Sequence, residues 1–228
     1  MAKRMYRLCM EGIVCACGAS ALELYRSSKR LIPTLLDKPR TGKVAGLMVP
    51  PRQFLEDDMT ARGVTKQPYH VLVDGNHGYN PRRDIHAVAC YHPLPPRSLI
   101  KIDKGFWVTS PELTFIQICA DENLSDFDII CLGYELCGTY VLDDSWDGLT
   151  CIDEPLTSTE KIGRLINSIH RVPGIKRARN LIKHVHDLSN SPMETILAML
   201  VSLPTTKGGL GLGPISLNHP VATPVGQR

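Results

Sequence analysis

Apolar and polar residues change their period along this chain, and the change separates a strand-rich stretch from a helical one. Between residues 69 and 108 the apolar positions come in short runs: Tyr69-His70-Val71-Leu72-Val73, Ile85-His86-Ala87-Val88-Ala89-Cys90-Tyr91-His92, Leu99-Ile100-Lys101-Ile102 and Phe106-Trp107-Val108. Runs rich in β-branched and aromatic residues, bounded by Pro, Gly, Asn and Asp, predict strands. Asp74-Gly75-Asn76 predicts a turn after which the second run returns beside the first, and Lys104-Gly105 predicts the turn of a second hairpin. Leu47-Met48-Val49 hints at one more strand. The result is a small mixed or antiparallel sheet.

Helical signals surround it. Ser20 is placed to cap a helix carrying Ala21, Leu22, Leu24 and Tyr25, and Gln53 to Ala61 reads as another short one. Ser110-Pro111-Glu112 has the cap, proline and acid order of a helix start. Leu113, Ile116, Gln117 and Ala120 share one face there, and Phe115, Ile118 and Cys119 make that helix apolar nearly all round, hence buried. Phe127 to Tyr140 reads as its neighbour. Thr157-Ser158-Thr159-Glu160 reads as a capping box opening a helix to about Arg171. Pro173-Gly174 turns the chain into a further helix, to about Leu188, with Ile175, Ala178, Ile182 and Val185 as its buried stripe. Finally Ser191-Pro192-Met193-Glu194 opens a short helix whose buried face is predicted to be Met193, Ile196, Leu197 and Leu200. Leu203-Pro204 stops it, a turn with Gly208, Gly209, Gly211 and Gly213 follows, and Ile215–His219 reads as a strand.

The expected fold class is therefore α/β (α+β): a small mixed sheet with packed helices, a basic helical pair, and a helix-turn-strand at the C-terminal end. The organisation divides into an N-terminal segment (1–18), an α/β core (19–142), an acidic linker (143–157), the basic helical pair (158–188) and a last unit (189–228).

Composition narrows the function classes. Hydrophobic residues make up 43% and charged residues 21% of the chain, which suits a packed core and argues against disorder. A net charge of +3 leaves any nucleic-acid affinity to local clustering. The eight cysteines show no CxxC and no zinc spacing, and several sit inside apolar runs, as core residues of a reducing compartment do. Cys15-Ala16-Cys17 reads as ordinary thiols near a flexible end. Arg7 and Glu11 interrupt what a signal peptide would keep apolar, and no run approaches the ~18 residues of a membrane span. The expectation is a soluble, cytoplasmic protein with no membrane partner.

One charge asymmetry stands out. Lys161, Arg164, Arg171, Lys176, Arg177, Arg179 and Lys183 lie with three histidines in a stretch, 161 to 186, that has no carboxylate. Fixed cations along helix faces follow a phosphate backbone, which makes these seven the candidate nucleic-acid-binding residues. Other candidates are poorer. Asp143, Asp144, Asp147, Asp153 and Glu154 lack the glycine and terminal glutamate of a calcium loop. His184 and His186 diverge on a helix, and His86 and His92 stand ~20 Å apart on one strand. The glycines at 208–213 have no following Lys-Ser/Thr and so make no phosphate loop. No nucleophile with a base is visible, and no metal ligand set is assigned.

Two resemblances add to this. Ser191-Pro192-Met193-Glu194-Thr195 with Leu197 and Leu200, the glycine-rich turn, and Leu217-Asn218-His219-Pro220-Val221 resemble the opening of a bacterial endonuclease-like domain. That domain is related to the very-short-patch repair endonuclease and the PD-(D/E)xK superfamily, and occurs at the C-terminus of actinobacterial proteins. The resemblance implies a metal-dependent endonuclease whose Mg²⁺-binding Asp and Glu-x-Lys pair lie on later strands. Glu194 alone is available here as a catalytic remnant, so the unit of 189–228 is expected to be a truncated domain, without nuclease activity and without a cofactor in this form. Secondly, Ser20-Ala21-Leu22, His86 and Val108-Thr109-Ser110-Pro111-Glu112-Leu113-Thr114-Phe115-Ile116-Gln117 resemble the core of the abortive-infection type IV antitoxins. No counterpart of the winged helix that reads operator DNA in that family is expected ahead of Ser20, so promoter binding is not carried over. Together these imply a defence- or mobile-element-associated regulator or nuclease relative that contacts DNA or RNA through its basic helical face. The alternative is a protein-interaction module, binding a partner as antitoxins do or forming a homodimer, without nucleic acid.

Overall fold

The computed structural model describes residues 12–28, 34–35, 37–75, 82–143, 148–213 and 215–218. Arg7, Glu11, Asn76, Asp144, Asp147, His219, Pro220 and Val221, named above, lie outside them, and residues 215–218, the described part of the strand expected over 215–219, form no strand. The fold is mixed α/β, with seven helices, a six-stranded mixed sheet and a two-stranded sheet among the described residues.

The six strands are β1 (Val14–Ala16), β2 (Arg40–Thr41), β3 (Tyr69–Asp74), β4 (Ile85–Cys90), β5 (Leu99–Asp103) and β6 (Phe106–Thr109), arranged β2-β5-β6-β1-β3-β4. The β5–β6 hairpin forms about Lys104-Gly105 as its turn chemistry predicts, with Leu99 opposite Thr109. Two expectations fail. β4 does not return antiparallel to β3 but runs parallel to it, with Tyr69 opposite Ile85 and Asp74 opposite Cys90. Apolar alternation is the same read in either direction, so the pattern could not tell them apart. The N-terminal segment also holds a central strand. β1 pairs parallel with β6 and antiparallel with β3, and Cys15, Ala16 and Cys17 are fully buried, which replaces the flexible end read from the sequence. Small residues suit a strand enclosed on both faces. Leu47 contributes only an isolated bridge to Ile13.

Helices α1 (Gly18–Ser28), α2 (Arg52–Thr60), α3 (Pro111–Ile118), α4 (Asp126–Cys137), α5 (Thr159–Ser168), α6 (Ile175–Leu181) and α7 (Pro192–Ser202) complete the fold. α1 and α3 pack on the sheet, α4, α5 and α6 gather around α3, and α7 lies on α4. One continuous apolar core runs from Val14 to Leu203. Ser20 does not cap α1: the helix starts at Gly18, and the Ser20 hydroxyl accepts the His70 N–H at 2.9 Å, tying α1 to β3. Ser110 caps α3 as read, accepting from the Leu113 N–H, while the buried Glu112 turns to accept the Thr157 hydroxyl at 2.7 Å.

The stretch expected as an acidic linker carries structure. β7 (Tyr140–Leu142) and β8 (Leu149–Cys151) form an antiparallel pair, and Leu156 and Thr157 are buried. The predicted helix over 127–140 therefore ends at Cys137, with its last residues drawn into β7. Before α5 the cap is Ser158, one residue after the position expected, because the carboxylate of Asp187 takes the Thr159 N–H and hydroxyl.

Candidate nucleic-acid interface

The basic stretch forms two adjoining helices on α3. In α5, Ile162, Leu165 and Ile166 face inward. In α6 the inward residues are Ala178 and Leu181, followed by Val185, while Ile175 and Ile182 are half-buried. The expected helix to Leu188 stops at Leu181, tightens into a 3₁₀ turn over Ile182–His184, and goes no further. Gly174 fixes the entry to α6. Its φ of +82° is left-handed, and a Cβ there would stand 2.3 Å from the Ile116 carbonyl oxygen. Only glycine permits that approach of α6 to α3.

This packing sorts the seven cations. Lys161, Arg164, Arg171, Lys176, Arg179 and Lys183 are exposed. Arg177 is not part of the set: it is half-buried, donates to Asp126 Oδ1 at 2.9 Å, and donates to the carbonyls of Asp121 and Leu124 at 2.9 and 2.6 Å. It anchors α6 to the start of α4, which removes it from the surface role its sequence position implied. Arg179 reaches the Ile166 carbonyl at 3.3 Å, so its charge sits at the negative end of α5, where a helix dipole favours a cation. Arg164 is 3.9 Å from Glu160 in an exposed pair of little energy. Lys176 and Arg179 fall three residues apart on α6, with Lys183 just beyond.

Two further groups adjoin this set. Lys207, in a short 3₁₀ turn, reaches Asp126 Oδ2 at 2.9 Å. Burial, with Lys207 and Lys183 nearby, holds the pKa of His184 below its ordinary value. Asp126 therefore takes two cations, Arg177 and Lys207, and its carboxyl is held below the usual range by both.

The remaining candidates do not assemble a catalytic centre among the described residues. Glu194 acts as a cap: its Oε2 accepts the Asn190 N–H at 2.6 Å while Ser191 accepts the Glu194 N–H. The Asn218 side chain also donates to it. It is the single carboxylate of residues 189–228, and one carboxylate committed to a helix start does not fit a Mg²⁺ centre. Asp143 accepts the Thr150 hydroxyl across β7–β8, and Asp153 and Glu154 follow β8 in the chain. No three His, Cys, Asp or Glu side chains come together as a metal set among the described residues. Burial pushes the Cys15, Cys17, Cys119 and Cys137 thiols up, away from nucleophilic thiolate.

A pairing that sequence spacing missed is His70 with His86. They are register partners on β3 and β4, with ring centroids 4.7 Å apart, whereas His92 lies beyond the end of β4. His70 also lines a cavity of about 770 Å³ with Ser20, Glu23, Arg26, Lys66 and Asp143. Its charged walls serve the fold: Glu23 accepts the Thr65 and Lys66 N–H groups, and Arg26 holds Glu135.

No known protein family, curated protein or solved structure matches this chain.

Proposed function

We propose that this protein contacts the backbone of DNA or RNA through the outer face of α5 and α6, without cutting it. The observation that carries this reading is a set of six exposed cations in a stretch with no carboxylate: Lys161 and Arg164 on α5, Lys176 and Arg179 on α6, Arg171 in the connection between them and Lys183 in the 3₁₀ turn that follows. Arg179 at the end of α5 and Lys176 beside it are held by packed helices, so part of the entropy of ordering a flexible basic tail is already spent. Phosphate contacts of this kind position a protein on nucleic acid and carry no base sequence. The protein then acts as a regulator or nuclease relative of a defence or mobile element, with Glu194 of its endonuclease-like unit spent on capping α7.

Two assays test this. In fluorescence anisotropy with DNA and RNA oligonucleotides, Lys176→Glu with Lys183→Glu weakens binding at every sequence tried; unchanged affinity rules out this face. With Mg²⁺ and plasmid DNA the pure chain leaves the substrate intact. Cleavage lost on Glu194→Gln would overturn the assignment of Glu194 to capping alone.

A further inference from the structure

α7 turns its larger side chains outward. Met193 is 76% exposed, Leu197 60%, Leu200 47% and Ile196 42%, at the i, i+3, i+4, i+7 spacing that makes one stripe. Leu210 and Leu212, at 55% and 72%, extend it beyond the end of the helix, where their N–H groups bond to the Leu200 and Val201 carbonyls. This is the reverse of the face read from the sequence. Thr195, Ala198 and Met199 face α4 instead. The hydroxyls of Tyr140 and Ser189, each 2.9 Å from Thr195 Oγ1, give that polar residue its partners, and Met199 meets Cys131.

The open apolar area is on the order of 600 Å², at the top of what a typical monomer shows. It is also most of the ~800 Å² that each partner gives to a standard interface. The stretch that carries it is nearly without charge. From Leu188 to Asn218 only Glu194 and Lys207 are charged, and each is engaged within its own chain. Charge depletion with Met and Leu at the centre is the composition of an interface core.

We propose that α7 pairs with α7 of a second copy of this chain, antiparallel about a two-fold axis between Ile196 and Leu197. Met193 then packs on Leu200 of the second copy and Leu200 on its Met193, so one patch serves both partners and the assembly closes at two. The stripe is uncharged and large at both ends, which gives no like-charge contact across the axis. Its area calls for a folded partner, not a short peptide. None of these residues belongs to the basic face, so the dimer and the nucleic-acid reading stand or fall separately.

Sedimentation velocity of the full chain over a range of concentrations tests this. The expected species has twice the 25.2 kDa chain mass and dissociates on dilution. Leu197→Glu, which places two like charges at the axis, weakens association by at least about 100-fold while the circular dichroism of the monomer is unchanged. Leu197→Lys does the same, and mixing the two variants restores a one-to-one dimer, which a folding defect would not do. A wild-type monomer at all concentrations, a dimer indifferent to Leu197→Glu, or association that grows past two would each overturn the proposal.

Discussion

Glu135 is the acid on which three elements meet. It is 1% exposed, accepts two bonds from Arg26 of α1 at 2.8 and 2.6 Å, and accepts the Leu142 N–H of β7 at 3.0 Å. Removing it would take two hydrogen bonds from the half-buried Arg26 guanidinium and leave a backbone donor without this acceptor. Glu135→Ala is expected to lower stability by roughly 2 kcal/mol in urea denaturation, because two charge-assisted hydrogen bonds and a buried backbone acceptor are lost together. A loss below ~1 kcal/mol would show that water reaches the pair. His70 gives a pH dependence. Burial and the adjacent His86 hold its pKa below the ordinary 6.5. The unfolded chain then takes up the proton more readily than the native one. Stability is full above the unfolded pKa and declines as pH falls through the lower native value. Thermal midpoints followed from pH 7.5 to 5 should fall, and His70→Gln should flatten the lower part of that curve. A slope unchanged by the substitution would assign the effect elsewhere.

At the scale of elements, the position of α6 depends on one glycine. Gly174→Ala adds a Cβ against the Ile116 carbonyl and strains a left-handed φ, so α6 must shift off α3. The expected result is a lower melting temperature with hydrogen-exchange protection lost first in α6; full protection there would contradict the account. Local chemistry made several elements legible in the sequence. The β5–β6 hairpin and the starts of α3 and α7 follow from turn and cap residues a few positions apart. What depends on distant partners was not legible. The direction of β4 is decided by its pairing with β3, and β1 has meaning only between β3 and β6. α7 is apolar on two faces, so periodicity chose its bulkier stripe, while the small Ala198 and the hydroxyl partners of Thr195 decided the packing. For the same reason Arg177 could not be separated from its neighbours by sequence: its anchors, Asp121, Leu124 and Asp126, lie some fifty residues earlier.

Across the whole molecule, the sheet and α3 form the base on which the basic helices sit, and one core links them. The six cations are thus presented by a folded scaffold, and on the proposed function the affinity for nucleic acid should be electrostatic. His184 gives this binding a second signature. A polyanion nearby favours its protonated form, so affinity should rise as pH drops towards 6, and His184→Gln should remove that rise. No helix among the described residues is long and apolar enough to cross a membrane. The most direct test is the salt dependence of binding. The dissociation constant for a duplex oligonucleotide should be measured from low to physiological salt, for the wild type and for Lys176→Glu with Lys183→Glu. If the six cations each neutralise a phosphate, the logarithm of the association constant falls with log salt at a slope of up to about −5, and the double variant is shallower by about 2. Absence of binding at the lowest salt, or a slope the variant leaves unchanged, would contradict the account.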